Sequence, residues 1–387
     1  MANKNIFSTD FTLGILGGGQ LGKMLLYTTR KWDIKTSILE PAADAPCKIA
    51  ANYFEVGSLT DFDTVYNFGK KVDVLTIEIE HVNIDALKKL QTEGVEVHPK
   101  PEMLEIIQNK GVQKQFYADN GIPTAPFVKY DGIAGLKADV ASGKVTLPFV
   151  WKSTKDGYDG MGVSVIKNAE QLESLADVEC IAEDLIPFKN ELAVIVATSP
   201  RGESVSYPVV EMEFHPTANQ VEYVICPARI SDDVAEKVRQ IAVDAAKKLG
   251  STGLLAVEMF QTQDDEIIVN EVAPRPHNSG HYSIEGSYTS QYEQHIRAIL
   301  DLPLGKTDSK VGSVMVNLVG EEGYTGDVVY DGINEIMAMP GVTPHIYGKK
   351  QTRPFRKMGH VTIVDNDLDK AREVAEQVKK TIKVICA

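Results

Sequence analysis

The sequence predicts a chain of mixed α/β and α+β architecture in three parts. These are a doubly wound parallel-sheet domain (1–105), an α+β domain (106–305) and a small β-rich C-terminal domain (306–387). Three observations carry this reading. Short β-rich runs alternate with helical runs through residues 11–100, the grammar of parallel strands joined by right-handed crossovers. After Pro101 the order of strands and helices loses that regular alternation, which suits α+β rather than a second doubly wound sheet. Beyond residue 305 the composition turns to a smaller β-rich region.

The elements follow in order. FTLGILG (11–17) reads as a buried strand, followed by glycine punctuation and a helix to Trp32. Further strands fall at 34–40, 72–79 and 95–97, with helical stretches at 61–68 and 84–92. One helix is expected over 103–119, ending in the breaker cluster Gly121-Ile122-Pro123-Thr124-Ala125-Pro126. A strand ends in Val150-Trp151-Lys152, a Gly/Asp-rich loop covers 153–162, and a β-rich region runs to about 226. Ser231 is placed to cap an amphipathic helix over 232–249. Strands 254–260 and 266–272 are joined by a polar turn, and a helix (367–380) and strand (381–385) close the chain.

Composition excludes several classes. The 387 residues are 43% hydrophobic and 24% charged, enough for several cores. A net charge of −14 argues against a nucleic-acid backbone binder. No apolar run suits a membrane span or signal peptide, and the four cysteines (Cys47, Cys180, Cys226, Cys386) lack metal-site spacing. A cytoplasmic protein is expected.

Gly17-Gly18-Gly19-Gln20-Leu21-Gly22 fits G-x-G-x-x-G between a strand and a helix, and Glu40 ends the next strand. That is the context of an NAD-dependent oxidoreductase. A helix N-terminus accepts any anion, however, including one phosphate monoester, and glycines here also serve a tight turn.

The strands at 254–260 and 266–272 hold a second signal. With Asp264-Asp265 as a two-residue hairpin loop, Glu258 falls opposite Glu271. Directly opposed carboxylates repel, and a divalent cation such as Mg²⁺, shared with nucleotide phosphates, reverses the sign. Two solvent-facing glutamates are the plainer alternative. In this register Asn270 points to the other face unless the backbone deviates. Upstream, Lys152 ends an apolar strand and precedes a loop with Gly157, Gly160 and Gly162, whose N–H groups suit phosphate oxygens. No Walker motif is present, and a plain hairpin is the alternative.

Lysine, glycine loop, Glu183-Asp184-Leu185-Ile186, Glu191 and the paired glutamates together resemble the ATP-grasp family. The match extends to GGGQLGKM (17–24), TIEIEHV (76–82), residues 113–116, NEVAPRPHNSGH (270–281), residues 290–304 and RPFRKMGH (353–360). It implies an ATP-grasp fold with a mobile lobe at about 120–190, behind a pre-ATP-grasp domain that only looks like a dinucleotide binder. ATP contacts are implied for Lys110, Lys152, Gly157, Tyr158, Asp159, Gly160, Met161, Gly162, Val163, Glu183, Asp184, Leu185, Ile186, Glu191, Phe214, Asn270 and Glu271, with Glu258 and Glu271 on Mg²⁺. The family usually has Arg at the position of Lys110 and often His at Phe214, where His215 is adjacent.

The same resemblance implies the purine-biosynthetic branch, in which bicarbonate, activated by ATP as carboxyphosphate, carboxylates the 5-amino group of 5-aminoimidazole ribonucleotide. Gln20, Leu21, Glu78, Arg275, His277, Asn278, Arg356 and Lys357 are implied for the ribonucleotide. Tyr158, Asp159, Glu78, Arg275 and Lys357 are implied for catalysis, with Asp159 or Glu78 accepting the amine proton. Arg275, Arg356 and Lys357 concentrate positive charge in an acidic chain, as a phosphate monoester requires. A homodimer is expected. A formate-dependent ligase, an NAD-dependent oxidoreductase and a non-catalytic nucleotide binder are the rivals.

Overall fold

A computed structural model describes residues 5–155, 162–216, 218 and 220–387. The N-terminal sheet is wholly parallel, with strands β1 (Thr12–Leu16), β2 (Lys35–Glu40), β3 (Tyr53–Val56), β4 (Val74–Ile77) and β5 (Glu96–His98) in the order β3-β2-β1-β4-β5. Helices α1 (Gln20–Lys31), α2 (Phe62–Gly69) and α3 (Ile84–Thr92) supply its crossovers. β3 was not expected, because its half-exposed YFEV forms the sheet's edge and lacks an apolar run. The helix expected over 103–119 is two, α4 (Pro101–Ile107) and α5 (Lys110–Asp119). The break comes at Asn109, whose side chain accepts the Val112 N–H and so starts a new helix.

A four-stranded antiparallel sheet follows, ordered β6 (Phe127–Tyr130), β9 (Cys180–Asp184), β7 (Phe149–Ser153) and β8 (Val163–Ile166), with α6 (Ile133–Ala141) and α7 (Ala169–Glu173). The largest sheet takes in β10 (Phe188–Thr198), β11 (Ser204–Ser206), β12 (Val210–Phe214), β13 (Val221–Cys226), β14 (Gly253–Thr262), β15 (Ile267–Ala273), β16 (Gly312–Val319), β18 (Val342–Ile346) and β20 (Lys357–Asp365). Its order, β15-β14-β10-β12-β13-β16-β20-β18, runs unbroken past residue 305, so the C-terminal strands extend the central sheet. β17 (Gly326–Asp331), β19 (Gln351–Thr352) and β21 (Lys383–Cys386) make a small satellite sheet.

Helix α8 (Asp232–Lys248) lays Val234, Val238, Ala242 and Ala245 against Leu192, Val194, Leu255 and Val257 on one face of the large sheet. The other face carries Glu191, Glu258 and Glu271 as well as a buried cluster of Ile195, Leu254 and Ala256. α9 (Ser283–Gly286) and α10 (Gln291–Ile299) come next. Tyr292, Ile296 and Ile299 of α10 pack on Leu13, Ile15 and Met24, which joins the N-terminal sheet to the centre. His295 bridges the same seam, bonding Thr76 Oγ1 (2.9 Å) and accepting the Leu254 N–H (3.3 Å). α11 (Ile333–Met337) and α12 (Leu368–Thr381) cover the C-terminal strands. No helix among the described residues is long and apolar enough to cross a membrane.

Candidate active site

The glycine turn is filled by the chain itself. Gly19 and Gly22 donate their N–H groups to the two oxygens of Glu78 (2.6 and 2.8 Å), and Gly18 donates to Glu40 (2.7 Å). A Cβ on Gly17 or Gly19 would lie 2.5 or 2.7 Å from Glu78, so these glycines make room for a carboxylate, and Gly17 also sits at φ +100°. Burial raises the Glu78 carboxyl against the pull of those two N–H groups. A dinucleotide would need the donors that Glu78 and Glu40 hold. The oxidoreductase reading fails here. Gln20 and Leu21, the first residues of α1, keep N–H groups that no intrahelical carbonyl can take.

The glutamates of β14 and β15 do face each other, by a route the sequence did not reveal. The turn has three residues (263–265), closed by Thr262 N–H to the Glu266 carbonyl, with Asp265 left-handed at φ 61°. Met259 therefore pairs with Val269, one step from the expected register. Asn270 is then an extra bulged residue, and Glu258 pairs with Glu271 after all. The bulge re-aims Asn270, whose Oδ1 accepts a hydrogen bond from Lys152 Nζ (3.1 Å). Glu191 on β10 is diagonal to Glu258, so three carboxylates cross one sheet face. Burial, then the charges of Glu271 and Glu191, push Glu258 up to about 8. Burial and Glu271 push Glu191 up to about 7. Burial also acts on Glu271, but Lys110 (3.6 Å) and Lys152 hold it below the usual carboxylate range.

Lys152 sits where β7 and β9 place it diagonal to Glu183 on one face, and the two pair at 3.0 Å. The other Glu183 oxygen pairs with Lys114 at 3.3 Å. Val163 lies opposite Lys152, and the Gly162 carbonyl accepts the Ser153 N–H. Gly157, Tyr158, Asp159, Gly160 and Met161 lie outside the described residues. Asp184 gives its N–H to Pro126 (2.9 Å), and half-exposed Leu185 and then Ile186 lead into β10. Beside them Phe188, Glu191, Met212, Phe214 and His215 line a cleft of about 520 Å³.

Past β15 the chain turns toward a second cluster. Arg275 pairs with Glu80 (2.8 Å), and His277 Nε2 stands 3.5 Å from Glu258. Asn278 and Asn317 of β16 exchange amide hydrogen bonds, each 2.9 Å. Lys357 opens β20 within electrostatic reach of Glu258, and Arg356 donates to the Gln351 carbonyl (2.6 Å). Glu78 is close enough to Arg275 to interact with it. One hairpin thus joins the lysine–carboxylate cleft to the cationic cluster. The sequence reading missed Lys114, Glu80 and Asn317. Lys114 follows Lys110 by four residues on one helix face, and Glu80 follows Glu78 by two, so both carried a weak signal.

Comparison with known proteins matches this layout. Residues 11–108 match a ribonucleotide synthetase preATP-grasp domain, 115–292 an ATP-grasp domain and 313–374 a phosphoribosylaminoimidazole carboxylase C-terminal domain. An N5-carboxyaminoimidazole ribonucleotide synthase of Bacillus subtilis is 37% identical over 95% of each chain. The chain belongs to the N5-carboxyaminoimidazole ribonucleotide synthase family. A synthetase of this family from Thermotoga maritima superposes with a TM-score of 0.89 at 42% identity, covering 97% of this chain and 100% of that one. An Aspergillus clavatus synthase in complex with ADP and 5-aminoimidazole ribonucleotide gives 0.88 at 32% identity, covering 96% and 98%. A chloroplastic phosphoribosylaminoimidazole carboxylase of Vigna aconitifolia is 40% identical over 93% of this chain, which spans only 65% of that longer protein. Membership in the synthase family establishes the ATP-grasp fold and its parallel pre-ATP-grasp sheet.

Proposed function

We propose that the chain carboxylates the 5-amino group of 5-aminoimidazole ribonucleotide, consuming ATP and bicarbonate and releasing ADP, phosphate and N5-carboxyaminoimidazole ribonucleotide. One observation carries the reading. The β14–β15 hairpin presents Asn270 and Glu271 to Lys152 and Lys110 and, within a few residues, leads to Arg275 and His277. A nucleotide phosphate and an anionic acceptor then meet at one place.

Lys152 and Lys110 face the ATP phosphates, Glu191 takes the ribose hydroxyls, and Phe214 and Met212 floor the nucleoside cleft. The Glu183–Ile186 segment meets adenine through its backbone. Glu258 and Glu271 would hold Mg²⁺: they are opposed hard-oxygen donors on neighbouring strands, and the nucleotide phosphates would supply further oxygen ligands. When bound, the ion neutralises charge on the phosphates.

A bicarbonate oxygen attacks the γ-phosphorus, the bond to the β-phosphate oxygen breaks, and carboxyphosphate and ADP result. Lys152 stabilises the charge that gathers there. Carboxyphosphate splits to CO₂ and phosphate, and the amine adds to CO₂ as its proton passes to the carboxylate of Glu78 or Asp159. Arg275, Arg356 and Lys357 bind the ribonucleotide phosphate, with Gln20, Leu21, His277 and Asn278 orienting the rest. Tyr158 and Asp159 are assigned to bicarbonate. We further assign a homodimer, a cytoplasmic location and domain limits near residues 105 and 305.

The deciding assay is ADP release by the purified protein with ATP and Mg²⁺, varying the ribonucleotide and bicarbonate. Release dependent on both is expected; dependence on formate, or indifference to the ribonucleotide, would overturn the assignment.

A further inference from the structure

We propose that Lys114 is a positioning residue of the nucleotide site, acting through Glu183 to keep the charge of Lys152 available to the ATP phosphates. The inference rests on the ATP-binding reading above and extends it to a residue that cannot touch the nucleotide.

Lys114 stands one helical turn after Lys110 on α5, on the same face, yet the two end differently. Lys110 reaches Glu271 and keeps 19% of its side chain exposed. Lys114 is only 2% exposed, so its ammonium does not reach the open cleft. It donates to Thr124 Oγ1 (2.6 Å), which in turn donates to the Val269 carbonyl (3.2 Å), next to the Asn270 bulge. It also pairs with Glu183 Oε1 at 3.3 Å.

Glu183 is 5% exposed and divides its two oxygens between two ammonium groups. Were Lys152 its sole partner, the two would form a neutral buried pair with little attraction for a polyphosphate. With Lys114 the trio carries a net positive charge, and only Lys152, held toward Asn270 at 3.1 Å, is placed to present it. A buried carboxylate flanked by two cations also fixes the Lys152 ammonium in one position, which lowers the ordering cost of binding. A purely structural ion pair would stabilise the fold without changing nucleotide affinity. The two roles are therefore separable by experiment.

The test is calorimetric titration of the intact protein with a non-hydrolysable ATP analogue in Mg²⁺, with thermal melts of each variant. Lys114→Met is expected to weaken binding at least about tenfold, while Lys114→Arg, which keeps the charge, stays within about threefold of wild type. In a Glu183→Gln background the carboxylate through which Lys114 acts on Lys152 is gone, so adding Lys114→Met should bring no further loss. That comparison also decides the matter should Lys114→Met alone fail to fold. Wild-type affinity in a folded Lys114→Met, equal losses for Met and Arg, or a full loss persisting beside Glu183→Gln would each overturn the proposal. A wild-type protein that does not bind the analogue would instead refute the ATP-binding reading.

Discussion

The glycine turn at 17–22 and the lysine cleft around Lys152 are built from similar parts and come to opposite electrostatic ends. Each has a glycine-rich stretch close by in sequence and a buried carboxylate, Glu78 in one and Glu183 in the other. In the turn, Glu78 and Glu40 take the N–H groups of Gly18, Gly19 and Gly22, so backbone dipoles and acids satisfy each other. In the cleft, Lys110, Lys114 and Lys152 are interleaved with Glu183 and Glu271, three cations to two carboxylates, while burial pushes the neighbouring Glu191 and Glu258 toward their neutral forms. An anion site is defined by the charge left over after the protein has paired its own groups, and a glycine motif alone does not report that remainder.

The contrast can be broken by substitution. The largest effect is expected in the cleft: Lys152→Met or Glu271→Gln should lower kcat for ADP formation by roughly a hundred- to a thousandfold while the protein stays folded by circular dichroism. A variant retaining a tenth of wild-type turnover would remove the residue from the site. Next comes Glu78→Ala in the turn, which strands two N–H groups and should cost about 2–4 kcal/mol in urea unfolding. It should leave the affinity for an ATP analogue within about twofold, and wild-type protein titrated with NADH should show no saturable binding.

A smaller effect of opposite sign is expected from Glu191→Gln. Burial and Glu271 raise Glu191 to about 7, so its stability contribution is present below the unfolded carboxylate range and is lost as pH rises through about 7. The variant should match wild type near pH 5 and exceed it by about 1–2 kcal/mol at pH 8.5, measured by urea unfolding. An advantage that shrinks with rising pH would contradict the crowding of these carboxylates. Removing an acid thus destabilises the turn but stabilises the empty cleft.

Much of this was legible in sequence, for reasons that vary with distance along the chain. The N-terminal alternation and the helix at Ile84–Thr92 follow from local periodicity. The opposition of Glu258 and Glu271 was legible through two compensating deviations. The turn is one residue longer than expected, and the Asn270 bulge restores the register. Neither deviation has a local signature beyond Asp265, a residue type that tolerates the left-handed turn. The role of Glu78 was hidden because its partners lie more than fifty residues away. Lys114 was hidden because burial of a lysine is decided by what packs over it.

The unbroken large sheet has a consequence for how the chain can be divided. β13 (Val221–Cys226) finds its neighbour β16 (Gly312–Val319) only after some ninety residues of intervening chain. A protein ending near residue 305 would hold every assigned nucleotide contact, yet it would expose the flank of β13 as a row of unpaired N–H and C=O groups. Such a flank is a template for joining other copies edge to edge, so the shortened protein should be recovered as aggregates rather than as a working nucleotide binder.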